Sequence, residues 1–280
     1  MGPGEGAVSG ARWARLGFLL CLAGAVAFPF YWMVASSLKD FGELFAVPPR
    51  FLPSRPTVEA YRDVWFRQGF LRYMLNSAVV AGATVGLNLL LAGPGAYALA
   101  RLRFPGRRAA GAALGLAYLI PPILLAVPLF AVLARAGLRD TLTGLVVAYL
   151  AQTLPVSVYV LANYFRALPR ELEEAARTDG CTRLQVLLQV VLPLSAPALV
   201  GVGVYTFLIA WNEFLMAYVL IDSPGRFTLA KGLYHLFSSY HTAWDRVMAA
   251  SVVMTLPVLA LFLAFQRRLV AGLTEGGVKG

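Results

Sequence analysis

Cysteine and histidine are almost missing from this chain, with two of each in 280 residues. Cys21 lies in an apolar run and Cys181 in a polar segment, too few and too unlike to build a disulfide framework or a metal site. His235 and His241 share one loop at a spacing that does not put them on one helical face, as the i, i+4 pair of a zinc protease requires. Charge is scarce too. Only 14% of residues are charged against 59% hydrophobic, and a mean hydropathy of +0.69 is too apolar for a soluble domain that must cover itself with polar groups. The chain also lacks a GxxxxGK[ST] phosphate loop, so it binds no nucleotide by that device. HExxH, GxSxG and any close acidic cluster within the apolar runs are missing, which leaves no nucleophile or metal site for a membrane-embedded enzyme.

What the chain has in abundance is lipid-compatible helix. A spanning helix needs about 20 mostly apolar residues. Six runs separated by polar or proline-rich breaks meet that need, at about 15–37, 73–98, 109–134, 142–163, 199–221 and 247–268. The fold class expected is all-α, a polytopic membrane protein with six transmembrane helices in a single domain over 1–280. The first run begins basic like a signal peptide. It has no small-residue cleavage site followed by a soluble domain, and it ends in Tyr31 and Trp32, which suit an interfacial aromatic belt, so an uncleaved span is expected. Gly82 with Gly86 and Gly111 with Gly115 have the spacing that permits close helix approach, although glycine is also simply common in membrane helices.

The net charge of +10 does not point to nucleic acid, because basic residues of membrane proteins flank the spans and face anionic headgroups. The clearest short basic loop holds Arg101, Arg103, Arg107 and Arg108 without an acid, which predicts a cytoplasmic loop and both termini inside. Residues 38–72 are also basic, but they carry acids and form a longer loop.

That orientation places one unusual segment in the cytoplasm: ELEEAARTDGCTRLQVLLQVVLPLSAP, residues 171–197. Pro169 near its start and Glu171, Glu173 and Glu174 in its first turn favour a short helix, since carboxylates are stabilised at the positive end of the helix dipole. Asp179 and Gly180 supply a turn, and a second apolar helical run ends at Pro193 and Pro197. An amphipathic surface helix without a partner has the same shape. Inside the apolar runs Asn76, Asn88, Gln152, Asn212 and Glu213 need partners or water. Asn212 and Glu213 are candidates for the pathway or for interhelical hydrogen bonds.

In order and spacing, Glu174-Ala175-Ala176, Gly180, Val190 and Leu192-Pro193 resemble the EAA loop of binding-protein-dependent ABC importer permeases, with Val190 where isoleucine is usual. PTVEAYRDVW, NSAVVA, AYALARLRFPGRR, AWNEFLMAYVL and the end QRRLVAGLTEGGVKG extend the resemblance from about residue 30 onward. It is strongest to MalG-like carbohydrate permeases of maltose and trehalose type. The resemblance implies a type I importer permease of a bacterial inner membrane that pairs with a second, MalF-like permease. Two copies of a cytoplasmic ABC ATPase would bind ATP and Mg, while this chain binds no cofactor and is not itself an enzyme. An extracytoplasmic sugar-binding protein would dock outside, where the loop 222–246 is aromatic and mixed in charge. It implies that Glu174, Ala175, Ala176, Asp179, Gly180, Leu192 and Pro193 form the coupling helix and its support. Gly276, Gly277, Val278, Lys279 and Gly280 would be a tail contact to the ATPase, although a polar glycine-rich terminus usually just frays. A membrane-embedded enzyme is the runner-up, and a secondary transporter working alone is a third reading, which strict ATP dependence of transport excludes.

Overall fold

The computed structural model of the chain describes residues 5–238 and 242–277. Every regular element among the described residues is helical. The main helices are α1 (Glu5–Ser37), α2 (Phe70–Arg101), α3 (Arg107–Leu119), α4 (Pro122–Arg135), α5 (Leu142–Ala167), α6 (Arg170–Thr178), α7 (Arg183–Leu194), α8 (Ala196–Asn212), α9 (Leu215–Leu220), α10 (Leu229–Phe237) and α11 (Trp244–Gly277). Among the described residues, four stretches are long and apolar enough to cross a membrane: Arg15–Ser37, Phe70–Arg101, Leu142–Ala167 and Trp244–Gln266. Two bent pairs, α3 with α4 and α7 with α8, raise that number to six if each is one span.

Local chemistry explains where the helices break. Pro121 and Pro122 separate α3 from α4, because proline lacks the N–H that would continue a helix yet suits its first turn. Pro197 likewise opens α8, which is bent 81° from α7. The expected fifth run, 199–221, is interrupted at Glu213, where the backbone turns extended before α9. At the start of α5 the Thr141 hydroxyl accepts a hydrogen bond from the Gly144 N–H at 3.0 Å, an N-cap.

The described residues form two compact units, one of residues up to Gly69 with Leu233–Thr255, the other of Phe70–Gly232 with the residues from Leu256. In the first, the end of α1 is held by a hydroxyl pair, Ser37 Oγ to Tyr61 Oη at 2.7 Å. Lys39 is buried, donating to the Arg50 carbonyl at 2.5 Å and lying 4.3 Å from the centre of the Trp32 ring, so its charge is compensated rather than stranded. Buried Asp63 takes Arg246 Nε at 2.8 Å.

In the second unit α2, α5 and α8 pack around a core that includes Ala92, Ala96, Tyr97, Leu161, Phe165 and Val202. Gly95 faces Val158 in this packing, where a Cβ would lie 3.6 Å from the Val158 side chain, an ordinary van der Waals contact. Asn88 donates to the Thr153 hydroxyl at 2.7 Å, with both side chains fully buried. An interhelical bond of this kind is worth about 0.6–2 kcal/mol in a membrane protein. Around Gly82, Gly86, Gly111 and Gly115, by contrast, a Cβ would meet nothing within 4 Å, so these glycines make no close approach within the chain.

One end of this unit is locked by contacts between loops that the sequence patterns did not predict. Asp140, at φ 52°, accepts the N–H groups of Asp222 and Ser223 at 3.0 Å each and the Ser223 hydroxyl at 2.6 Å, and it pairs with Arg226 at 2.7 Å. Burial pushes its pKa up, but the bonds from Ser223 and Asp222 and the charge of Arg226 outweigh that and hold it down to about 2. A carboxyl depressed on folding contributes stability above its ordinary value of 3.8, lost as pH falls through about 2. Acid unfolding followed by tryptophan fluorescence between pH 4 and 2 is therefore expected to be less steep for Asp140→Asn than for the native chain. Asn76 donates to the carbonyls of Gly225 and Phe227 at 3.1 and 2.9 Å, and the Ser77 hydroxyl accepts the Leu229 N–H at 2.8 Å.

Gly232 sits against this lock. A Cβ there would lie 2.4 Å from Tyr73 Cδ2, and Tyr73 is buried beside Phe70 and Phe227. Gly232→Ala is expected to destabilise the fold by about 1–3 kcal/mol through overpacking, while Gly82→Ala, with open space, is expected to leave the detergent-solubilised protein as stable as before. Thermal unfolding of both variants checks the contrast.

Candidate functional site

The polar segment forms a helix, a glycine turn and a second helix. Asp179 ends α6, the Gly180 N–H donates to the Arg177 carbonyl at 3.1 Å and the Cys181 N–H to the Ala176 carbonyl at 3.0 Å. This double closure around a residue of positive φ is a Schellman motif, and Gly180 occupies its left-handed position at φ 90°. Only glycine adopts that conformation without a Cβ penalty. The next helix opens with a capping box. Gln185 N–H reaches the Thr182 hydroxyl at 3.4 Å while the Gln185 side chain accepts the Thr182 N–H at 2.8 Å. Thr182 and Gln185 stand in the T-x-x-Q spacing of that motif, a signal available in the sequence.

The two halves of the motif face opposite ways. Glu174, Ala175, Asp179 and Gly180 are exposed. Ala176, Cys181, Val190 and Leu192 pack against the core of α2, α5 and α8, and Leu192 fills the space over Gly93, 3.5 Å from where a Cβ would stand. Pro193 lies exposed near the end of α7. Among the described residues the structure thus brings together an outward-facing acidic tip and an apolar root seated on the long helices.

The root is also fixed by charge, through residues that sequence reasoning did not select for this role. Arg101, the last residue of α2, pairs with Glu173 at 2.6 Å, their side chains 6% and 12% exposed. The same guanidinium donates to the Leu168 carbonyl at 2.7 Å, and the Tyr97 hydroxyl donates to Glu173 at 3.2 Å. Arg101 entered the sequence reading only through its charge, and Glu173 only as a first-turn acid. Arg107 folds back to donate to the Leu99 and Ala100 carbonyls at 2.9 and 3.3 Å, satisfying groups that a helix C-terminus leaves open. Arg101 thus holds the joint between α2 and α6, and Arg107 closes the end of α2, in addition to their marking a basic loop.

The remaining candidates lie elsewhere. Asn212 donates to the Leu208 carbonyl of its own helix at 2.9 Å. Glu213 turns onto the first N–H groups of α9, accepting from Met216 at 2.9 Å and Ala217 at 3.3 Å, with the Tyr149 hydroxyl of α5 close by. Its carboxylate therefore closes the helix break it creates. Gly276 and Gly277 close α11, whereas Val278, Lys279, Gly280 and His241 lie outside the described residues. No group of three or more His, Cys, Asp or Glu among the described residues is arranged to hold a metal ion.

Comparison with known proteins bears on this arrangement. Residues 90–275 match the family described as binding-protein-dependent transport system inner membrane component. The inner membrane ABC transporter permease protein YcjP of Escherichia coli K12 is 40% identical, the alignment covering 95% of this chain and 97% of that protein. The trehalose transport system permease protein SugB of Mycobacterium tuberculosis is 35% identical over 98% of this chain and all of its own length, 100%. The diacetylchitobiose uptake system permease protein DasC of Streptomyces coelicolor is 34% identical, covering 97% and 98%. Among solved structures, a chain of a bacterial ABC transporter that imports the acidic polysaccharide alginate superposes with a TM-score of 0.82 at 23% identity, over 95% of this chain and 98% of that one, which establishes the shared fold. With the family matched over most of the chain and full-length relatives that are permease components, this protein belongs to the inner membrane components of binding-protein-dependent transport systems, the non-catalytic ABC transporter permeases.

Proposed function

We propose that the chain is the MalG-like permease of a sugar importer, one membrane domain over 1–280 that forms the translocation pathway with a second, homologous permease. Two copies of a cytoplasmic ATPase bind ATP and Mg and drive it, and an extracytoplasmic binding protein delivers the sugar. The observation that carries the reading is the build of α6. A short helix with an exposed charged tip at Glu174, a small neighbour at Ala175 and a root pinned by the Arg101–Glu173 pair suits a lever that enters a cleft and transmits force to the spans. Ala176, Leu192 and Pro193 support it, and Asp179 and Gly180 set its angle. The relatives named for trehalose and diacetylchitobiose uptake favour a carbohydrate substrate.

In this reading both termini, the loop 101–108 and α6 are cytoplasmic, the tail from Gly276 to Gly280 adds an ATPase contact, and the loops around Asp140 and Arg226 face outward. Asn212 and Glu213, beside the break before α9, line or brace the pathway. The test is a set of reporter fusions together with purification of the assembled complex. A reporter active only in the cytoplasm is expected to work after Gly280 or within 101–108 and to fail within 222–246, and the complex is expected to hydrolyse ATP faster with a sugar-loaded binding protein. The reverse fusion pattern, or transport by the purified chain without ATP, refutes the proposal.

A further inference from the structure

Beside α6, where α2 ends, lies a cleft lined by Tyr97, Arg101, Arg103, Arg170, Glu173 and Arg177, with Leu102, Glu174 and Arg183 completing its wall. Its charges do not balance. Arg101 is taken by Glu173, while the guanidinium groups of Arg103, Arg170, Arg177 and Arg183 make no hydrogen bond or ion pair among the described residues, and in the cleft lining only the exposed Glu174 carboxylate is left to offset them. Guanidinium groups gathered in a concave site match the bidentate geometry of a phosphate. Depth matters as well. The cleft begins at the end of a helix long enough to cross a membrane, so it opens at the level of the headgroups.

A second, independent observation distinguishes lipid from soluble phosphate. α7 starts at the cleft with Arg183 and then exposes Leu184, 62% accessible, and Leu188, 53% accessible, four residues apart and so on one helical face. Leu172 of α6 is also exposed, 44% accessible. A soluble anion has no use for these leucines, whereas a phospholipid presents phosphate and acyl chain together.

We infer that this cleft binds the phosphate of an anionic phospholipid, whose acyl chains lie along Leu184 and Leu188. Bound there, the lipid would neutralise the cleft and brace the root of α6 against the membrane. The inference uses the proposed function only for the leaflet concerned, because the binding itself requires neither ATPase nor sugar.

The full chain, purified in a neutral detergent, is titrated with phosphatidylglycerol, with phosphatidylcholine and with glycerophosphate, and bound lipid is counted by native mass spectrometry. Phosphatidylglycerol is expected to bind at least about tenfold more tightly than the other two, and Arg103→Gln with Arg183→Gln to remove about that preference, since each residue offers a charge-assisted bond. Arg103→Lys keeps the charge without the fork and is expected to lose part of it. Leu184→Ser with Leu188→Ser is expected to weaken phosphatidylglycerol without affecting glycerophosphate. Arg62→Gln with Arg139→Gln removes the same charge elsewhere and is expected to change nothing. Equal binding of both lipids, undiminished phosphatidylglycerol binding by the Arg103 and Arg183 double variant, or glycerophosphate as tight as lipid each overturns the inference. Loss of ATPase binding in a variant with normal lipid binding concerns the coupling reading instead.

Discussion

Arg101→Met is expected to loosen α6 from the long helices and to cost about 1–3 kcal/mol, because it leaves the Glu173 carboxylate, 12% exposed, without the guanidinium it pairs with. Removing one member of a buried pair is worse than removing both. The double variant Arg101→Met with Glu173→Met is therefore expected to recover much of the loss, the Tyr97 hydroxyl and the Leu168 carbonyl remaining the only groups short of a partner. Thermal unfolding in detergent reads the total effect. Hydrogen exchange across Arg170–Thr178 reads the local one, and it is expected to accelerate in the single variant well before the spans do. If the single variant melts and exchanges like the native protein, the pair does not anchor the helix.

Gly180→Val and Glu174→Lys test the lever itself. At φ 90° a β-branched residue meets a backbone clash of about 1–2 kcal/mol, enough to open the Schellman closure onto Arg177 and Ala176 and so change the angle of α6. No side chain lies within 4 Å of a Cβ at that position, so the strain is confined to the turn and the spans are expected to insert normally. Gly180→Asn tolerates the left-handed region better and is expected to act more mildly. Glu174→Lys reverses the charge at an exposed tip without touching the core. Both Gly180→Val and Glu174→Lys are expected to lose most uptake and sugar-stimulated ATP hydrolysis, and to shed the ATPase during purification. Glu171→Lys, in the first turn of the same helix but outside the EAA motif, is expected to do much less. Normal uptake and normal ATPase retention by both variants would make α6 a surface helix with no coupling role.

These expectations draw on different levels of the molecule. Composition and the lengths of the apolar runs determined the membrane class, because a bilayer admits only segments that satisfy their own backbone and bury few charges. The spacing from Glu174 to Pro193 carried the resemblance to the EAA loop, and the glycine and acids of that segment predicted a helix followed by a turn, since those preferences act within a few residues along the chain. Interactions between distant segments were beyond local pattern. Glu171, Glu173 and Glu174 look alike in sequence, yet only Glu173 faces inward to meet Arg101, a choice made by the packing of α6 against the ends of α2 and α5. Asn88 finds Thr153, and Asp140 gathers Ser223 and Arg226, across separations that no periodicity encodes. The run 199–221 reads as continuous because hydropathy sums over residues. Only the tertiary structure decided that it breaks at Glu213, where the carboxylate turns back onto the N–H groups of α9. The sequence alone thus determined which solvent each segment accepts, whereas the fold decided which of several equivalent charges is buried, because that depends on what the rest of the chain places opposite it.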